Sequence, residues 1–314
     1  MKAIVVHQYA PPESLKIEDV KRPSLQANEV LIKIHAAGIN PKDALMRKGR
    51  MKFLVRGRFP YIPGYDLAGE VVEVGQDVSG FQVGDEVYGM INDHLGGAYA
   101  QFAAVPAAEV AHKPHNLNWE QAAAVPLAAL TSLQALVNLS HLKAGDEVCI
   151  NGASGGVGTF AIQIAKAYGA RVTAVCSYRN VDLVRALGAD EVVDYTKENI
   201  EQSGRKFDIF YDAYGNKPPQ LVRPILAEQA VYISVLPRLS LFVRQALTIF
   251  AKQKVKVVVV HSNTADLQTL AKLIEADKVK PVIDSVLPLA EAAEAHQRIE
   301  TRRAQGKIVL VMDH

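Results

Sequence analysis

Residues 146–179 read as a strand, a glycine-rich turn, a helix and a second strand, and this order constrains the fold more than any other segment of the chain. Residues 148–150 form a short buried apolar run, residues 160–167 space apolar side chains at helical intervals, and residues 172–176 form a second apolar run. Between the first strand and the helix lies Gly152-Ala-Ser-Gly-Gly-Val-Gly158, in which Gly155 and Gly158 match the last two glycines of the G-x-G-x-x-G fingerprint and Ala153 replaces the first. At Gly155 a pyrophosphate can come close to the backbone, at Gly158 the helix can lie against the sheet, and the free N–H groups opening the helix face the negative charge. Ser154, Gly155, Gly156 and Val157 are therefore candidate dinucleotide contacts. A tight turn that binds nothing is the alternative.

The end of the second strand discriminates between the two nicotinamide dinucleotides. A site for NAD places a carboxylate there, roughly 20 residues after the glycines, to bond the ribose 2′-hydroxyl. This chain has Cys176, Ser177, Tyr178 and Arg179. The Ser177 hydroxyl can donate to a 2′-phosphate and the Arg179 guanidinium can pair with it, so NADPH is the expected cofactor. Arg179 as a solvated surface charge is the competing reading.

A chain of 314 residues is long for one core and comfortable for two domains. With 49% hydrophobic residues and a net charge of +2, neither a disordered chain nor a polyanion-binding protein is suggested, and no nucleic-acid partner is expected. Residues 1–7 already alternate like a strand, which argues against a cleaved leader, and no apolar run approaches the roughly 18 residues that span a bilayer. A soluble, cytoplasmic protein without membrane attachment is expected. Cys149 and Cys176 fall in neighbouring strands and suit packing better than a disulfide.

Short strands punctuated by glycine and proline occupy residues 2–7, 29–38, 68–74, 86–90 and 98–105, the pattern of an irregular antiparallel barrel. Strands alternating with helices follow at 148–151, 171–176, 191–194, 208–211, 230–235 and 255–260, as a doubly wound parallel sheet requires. Residues 281–287 read as a strand, 289–302 as a helix and 307–312 as a closing strand able to return to the first domain. The expected fold is thus α/β, a β-barrel domain of residues 1–122 completed by 266–314, with a dinucleotide-binding domain of residues 123–265.

Gly38-Ile-Asn-Pro-Lys-Asp43, Ile62-Pro-Gly-Tyr-Asp-Leu-Ala-Gly-Glu-Val71, Phe81-Gln-Val-Gly-Asp-Glu-Val87, Gly96-Gly-Ala-Tyr-Ala-Gln-Phe102, the glycine turn and Gly306-Lys-Ile-Val309 occur in this order along nearly the whole chain. In these motifs the chain resembles the medium-chain dehydrogenase/reductase superfamily, in its zinc-free quinone oxidoreductase (zeta-crystallin-like) branch. The resemblance implies a GroES-like β-barrel catalytic domain beside a Rossmann domain, with NADPH and substrate in the cleft between them. Zinc alcohol dehydrogenases of the superfamily carry ligands at the positions matched by Asn40, Tyr65 and a residue near Leu127. None of these side chains suits zinc, and the two cysteines are too few for the structural zinc lobe. No metal is expected.

Without a Lewis acid, the reaction most easily managed is hydride delivery to an acceptor already polarised by conjugation, a quinone or an α,β-unsaturated carbonyl (enone). Asn40 is a candidate amide donor to the acceptor oxygen, or a brace of the Asn-Pro turn; Tyr65 is a candidate proton or hydrogen-bond donor, or a packing aromatic. The resemblance implies further cofactor contacts at Thr131, Tyr195, Ser234, Val235, Leu236 and Lys307, with Tyr195 alternatively covering a sheet edge and Lys307 alternatively a surface charge. Positions where related enzymes carry tyrosines are Leu45 and Met51 here. An acyl-thioester enoyl reductase and an NADPH-binding protein with a structural or regulatory role and negligible turnover are the other functions weighed. Leu241, Phe242, Ala246, Ile249 and Phe250 can share one helical face among Arg238, Arg244, Lys252, Lys254 and Lys256; this segment reads as a cleft-lining helix followed by an edge strand, residues 256–261, that pairs with a second subunit in a homodimer. Adhesion of that face to an anionic membrane is the alternative.

Overall fold

The computed structural model describes residues 1–55 and 58–313, without the side chains of residues 54 and 55. Contacts divide the chain into one unit of residues 1–127, 261–275 and 281–314 and a second of residues 128–260 and 276–280.

The first unit opens with an antiparallel pair, β1 (Lys2–Val5) and β2 (Lys16–Asp19). β2 was not expected, because its single apolar residue, Ile17, is exposed and leaves no alternation to read. The eleven-residue β3 (Glu29–Ile39) is the spine of the larger sheet. It pairs antiparallel with β4 (Asp66–Val74), which pairs with β5 (Glu86–Met90), and also with β6 (Phe102–Pro106). The three-residue β7 (Val110–His112), too short to show a period, completes the sheet beside β5.

The second unit holds six parallel strands: β8 (Glu147–Asn151), β9 (Arg171–Cys176), β10 (Glu191–Asp194), β11 (Phe207–Asp212), β12 (Leu226–Ser234) and β13 (Lys254–Val257). Their spatial order is β10-β9-β8-β11-β12-β13, so the direction of winding reverses between β8 and β11. Phe207, Phe210 and Tyr232 pack with Cys149, Val175 and Val193 in a buried cluster of the kind a sheet covered on both faces requires.

β14 (Ile283–Pro288) and β15 (Lys307–Val311) return the chain to the first unit, β15 lying antiparallel to β3 with Ile308 opposite Ile39. The contact boundaries fall at 127 and 260, where the sequence suggested 122 and 265. Two bonds explain the shift: the Leu127 N–H donates to Asp66 at 2.7 Å, and the Ser262 hydroxyl donates to the Glu109 carbonyl at 2.7 Å. Residues 276–280 join the second unit because Gln163 and Lys280 exchange two hydrogen bonds, of 2.8 and 2.9 Å. Among the described residues, no helix is long and apolar enough to cross a membrane.

Candidate functional site

In the second unit, the glycine turn follows β8 at the point where the winding reverses, the place where open parallel sheets bind ligands. The Gly152 and Ala153 N–H groups both donate to the Val175 carbonyl, at 3.2 and 3.1 Å, tying the turn to the end of β9. The helix Gly156–Ala167 starts without a capping side chain, and its first backbone bond runs from the Thr159 N–H to the Gly155 carbonyl. The Gly155 N–H donates to the Gly152 carbonyl at 3.2 Å, so the amides of Gly156, Val157 and Gly158 are the ones that present donors an anion can satisfy. The two fingerprint glycines differ in what surrounds them. A Cβ at Gly158 would lie 2.3 Å from the Gly152 oxygen and 2.6 Å from the Ala153 Cα, whereas a Cβ at Gly155 would meet only the Gly152 oxygen, at 3.5 Å. Gly158 permits helix and turn to touch; Gly155 leaves open space over the turn. This cradle fits a pyrophosphate.

The carboxyl ends of the neighbouring strands carry a row of buried polar residues, with Asn151 opposite Asp212 and Asp212 opposite Ser234. Asp212 accepts from Asn151 Nδ2 at 2.7 Å and from the Gly215 and Lys217 N–H groups at 2.9 and 3.0 Å, which fixes the loop after β11. Ser234 is buried and its hydroxyl accepts from the Leu236 N–H at 3.2 Å, so residues 234–236 are held in a turn at the same edge. Asp212 and Asn151 were missed by sequence reasoning, although a polar residue closing each apolar strand is a signal that could have found them.

Ser177 and Arg179 stand where expected, just past β9. Arg179 is exposed, its Nε donates to the Tyr178 hydroxyl at 3.0 Å, and among the described residues no carboxylate pairs with it. The nearest strand-end carboxylate on β10, Asp194, accepts from the Thr196 N–H and hydroxyl at 3.0 and 2.7 Å and is held in its own turn. Asn180, not anticipated, donates to the Ser154 hydroxyl at 2.7 Å and links the glycine turn to the segment after β9. Tyr195 is exposed, its N–H donating to the Cys176 carbonyl at 3.1 Å, and it lines a surface pocket of about 450 Å³ with Thr196, Lys197 and Gln202. Thr131 is buried in the helix Pro126–Leu133, its carbonyl accepting from the Tyr211 hydroxyl at 3.5 Å. Both thiols are buried and free; burial pushes Cys176 up to about 11 and Cys149 higher still, which makes them inert packing groups.

The first unit contains a separate buried polar cluster. Lys307 Nζ donates to Asn40 Oδ1 at 2.5 Å and to Asp66 Oδ2 at 3.1 Å, and Asn40 Nδ2 donates to the same Asp66 oxygen at 3.0 Å. Lys307 is therefore a buried ion-pair partner rather than a surface charge flanking a strand. The Asn40 N–H donates to Asp43 Oδ2 at 2.7 Å at the start of the helix Pro41–Arg47, and the Tyr99 hydroxyl donates to the same oxygen at 3.0 Å. Burial pushes the Asp43 carboxyl up to about 7, and its Oδ1 has no partner among the described residues. The Tyr65 hydroxyl donates to the His94 carbonyl at 2.5 Å, and the Lys42 ammonium sits 3.5 Å from the centre of the Tyr65 ring. Burial drives the Tyr65 phenol far above its ordinary range and the Lys42 ammonium below its own. The Tyr65 side chain is buried and its hydrogen is engaged inside the protein.

Of the positions that the resemblance matches to zinc ligands, Asn40 has its amide bonded to Asp66 and Lys307 and Tyr65 its hydroxyl bonded to His94, and the third lies near the apolar Leu127. An amide, a phenol and an alkyl side chain do not make a zinc donor set. Among the described residues, no three His, Cys, Asp or Glu side chains converge to hold a metal.

Two family models match the chain: an alcohol dehydrogenase GroES-like domain over residues 26–115 and a zinc-binding dehydrogenase over residues 187–310. The chloroplast envelope quinone oxidoreductase homolog of Arabidopsis thaliana is 36% identical over 92% of this chain and 91% of its own length. The NADPH-dependent alkenal/one oxidoreductase of Arabidopsis thaliana chloroplasts is 37% identical over 99% of this chain and 79% of its own. The solved structure of the quinone oxidoreductase from Coxiella burnetii superposes with a TM-score of 0.92 at 33% identity, covering 100% of this chain and 99% of that one. With these likenesses running the length of both units, the chain belongs to the medium-chain dehydrogenase/reductase superfamily, in its quinone oxidoreductase branch, as an oxidoreductase that uses a nicotinamide cofactor.

Proposed function

We propose that the protein is a zinc-independent, NADPH-dependent reductase of quinones or α,β-unsaturated carbonyls. The observation that carries this reading is the glycine turn at the winding reversal, with open space at Gly155 and uncapped amides beyond it. The relatives named for quinone and alkenal/one reduction support the acceptor class.

Gly156 and Val157 would hold the pyrophosphate through backbone N–H groups, Gly155 would let it approach the turn closely, and Ser154 is braced by Asn180. Ser177 and the exposed Arg179 would receive the 2′-phosphate, and Tyr195 the adenosine end. Thr131, Ser234, Val235 and Leu236 would line the nicotinamide end. The bound cofactor supplies a hydride; the chain supplies orientation, exclusion of water and stabilisation of the charge that forms on the acceptor oxygen. For that charge, Asn40 has one amide hydrogen to offer. Its bond to Asp66 is short, but the bond of Nδ2 to the Gly38 carbonyl is 3.5 Å, at the limit of a hydrogen bond, so little is lost by redirecting it. Lys307, bonded to Asn40 Oδ1, holds the amide in the orientation that aims this hydrogen. Tyr65 would position the acceptor through its ring and its oxygen lone pairs.

Steady-state NADPH oxidation with a small benzoquinone and a small enone, with and without a chelator, tests the proposal. Turnover insensitive to the chelator supports it; stoichiometric NADPH binding without reduction of either acceptor would instead identify an NADPH-binding protein of negligible turnover. A homodimer at the β13 edge, in which the partner would replace the Thr248 and Gln245 side chains on the Val255 and Val257 N–H groups, and a cytoplasmic location complete the proposal. They are checked by sedimentation at assay concentration and by cell fractionation.

A further inference from the structure

The helix Pro41–Arg47 begins in a capping box between Asn40 and Asp43, which fixes the backbone from which its second residue, Lys42, projects. The Lys42 ammonium lies 3.5 Å from the centre of the Tyr65 ring, and that ring is itself held by the bond from its hydroxyl to the His94 carbonyl. Among the described residues Lys42 has neither a hydrogen bond nor an ion pair; its contact is the ring face. Lys42 is half-buried and Tyr65 is buried, so the ammonium is the member of the pair that a molecule arriving from outside meets.

The neighbouring donors are committed. Lys307 gives its protons to Asn40 and Asp66, and Arg47 to His296, Glu300 and the Ala10 carbonyl. The Tyr65 hydroxyl serves His94 and the Tyr99 hydroxyl serves Asp43. Asp43 Oδ1 and the Tyr61 hydroxyl are unpartnered among the described residues, but both lie in buried side chains. Of these groups, Lys42 alone is both uncommitted and reached by solvent, as a donor that must recover its proton in every cycle has to be.

Three acidic side chains face the ammonium: Asp43 on its own helix, Asp66 at the start of β4 and Asp93 after the end of β5. Burial, the largest influence, pulls it below its ordinary range, and the three acids oppose that pull. The group is thus a cation that releases a proton more readily than an exposed lysine does.

We propose, on the reductase reading above, that Lys42 is the proton donor of the reduction, delivering its proton to the acceptor oxygen while Asn40 holds that oxygen through its amide hydrogen. When an enone takes the hydride at its β-carbon, the C=C π pair shifts and the carbonyl oxygen becomes an enolate. One Lys42 N–H bond then breaks and an O–H bond forms, leaving the enol and a neutral amine. The enol tautomerises to the saturated ketone, and the amine regains a proton from water. A quinone that takes the hydride on one oxygen receives the Lys42 proton on the other, giving the hydroquinone.

NADPH oxidation with a small enone and a small benzoquinone, compared between wild type and variants, tests this. Lys42→Ala and Lys42→Arg should keep the wild-type melting temperature and NADPH affinity and lose about 100-fold or more in kcat, because arginine keeps the charge but not the transferable proton. Lys42→Cys alkylated with 2-bromoethylamine, which rebuilds an ammonium of nearly the same reach, should recover turnover; Cys149 and Cys176 are buried and should be spared. A readout without turnover is the binding of 4-nitrophenol in the presence of NADP+, followed by phenolate absorbance: the wild type should take it up as the anion and Lys42→Ala should bind it about tenfold more weakly. Undiminished turnover in Lys42→Ala, or a loss that Lys42→Arg restores, overturns the proposal. So does a loss that alkylation of Lys42→Cys does not reverse, together with undiminished phenolate binding in Lys42→Ala. A wild-type protein that reduces neither acceptor defeats the reductase reading itself, and the proton donor with it.

Discussion

Lys307 on β15 and Asp66 on β4 form an ion pair of 3.1 Å with both side chains buried, and Asn40 at the end of β3 bonds to each of them. The last strand of the chain is thereby pinned to the sheet built by the first hundred residues. A charge so deep is tolerated only while paired. Asp66→Asn or Lys307→Met should each destabilise the protein by about 3–5 kcal/mol, because each strands the other charge. Thermal and urea unfolding check this; a loss below about 1 kcal/mol, the range of an exposed pair, contradicts it.

Asp43 sets a pH dependence of stability. Its folded-state value is raised from 3.8 to about 7, chiefly by burial, with Asp66 raising it further while the Asn40 amide, Tyr99 and Lys307 lower it. A raised value means that the folded protein holds the proton more tightly than the unfolded chain, so this contribution is full below pH 4 and is lost as pH rises to about 7. The loss is at most about 1.4 kcal/mol per pH unit. Asp43→Asn, which mimics the protonated form, should flatten the stability profile between pH 4 and 7; parallel wild-type and variant profiles would remove Asp43 as the cause.

The two fingerprint glycines should fail differently. Gly155→Ala places a methyl in open space with an ordinary φ of −80°, so the melting temperature should hold while NADPH affinity falls by about tenfold or more through a blocked approach to the backbone. Gly158→Ala drives a methyl into the Gly152 and Ala153 backbone and should lower the melting temperature itself. Equal loss of stability in both variants would show that Gly155 serves packing, not a ligand.

Arg179→Ala should weaken NADPH binding by about tenfold or more, the worth of one charge-assisted bond, and leave NADH binding unchanged. Titration with both cofactors decides it. Equal effects on the two would mean that the exposed guanidinium meets something other than the 2′-phosphate.

The parallel-sheet unit was legible because its strands are near-continuous apolar runs and its turn carries glycines at fixed offsets; the strands at 171–176 and 191–194 fall where the pattern put them. β2 and β7 were not legible, being short, with one exposed apolar residue in β2 and no period in β7. Asn40, Tyr65 and Lys307 stood out as residue types at motif positions, but their partners did not. The bond from Lys307 to Asn40 joins residues at opposite ends of the chain, and no local pattern announces such a contact. For the helix Leu239–Leu247, periodicity located an apolar face but left open the direction it points, which here is set by the bonds of Gln245 and Thr248.

Single-turnover transfer from NADPH deuterated at nicotinamide C4, to a small enone under anaerobic conditions with products identified by mass, tests the central claim most directly. Deuterium on the β-carbon of a saturated ketone, formed equally in the presence of a chelator, is the predicted result. Bound but unreacted cofactor with enone and quinone alike, or transfer that appears only when zinc is added, would contradict it.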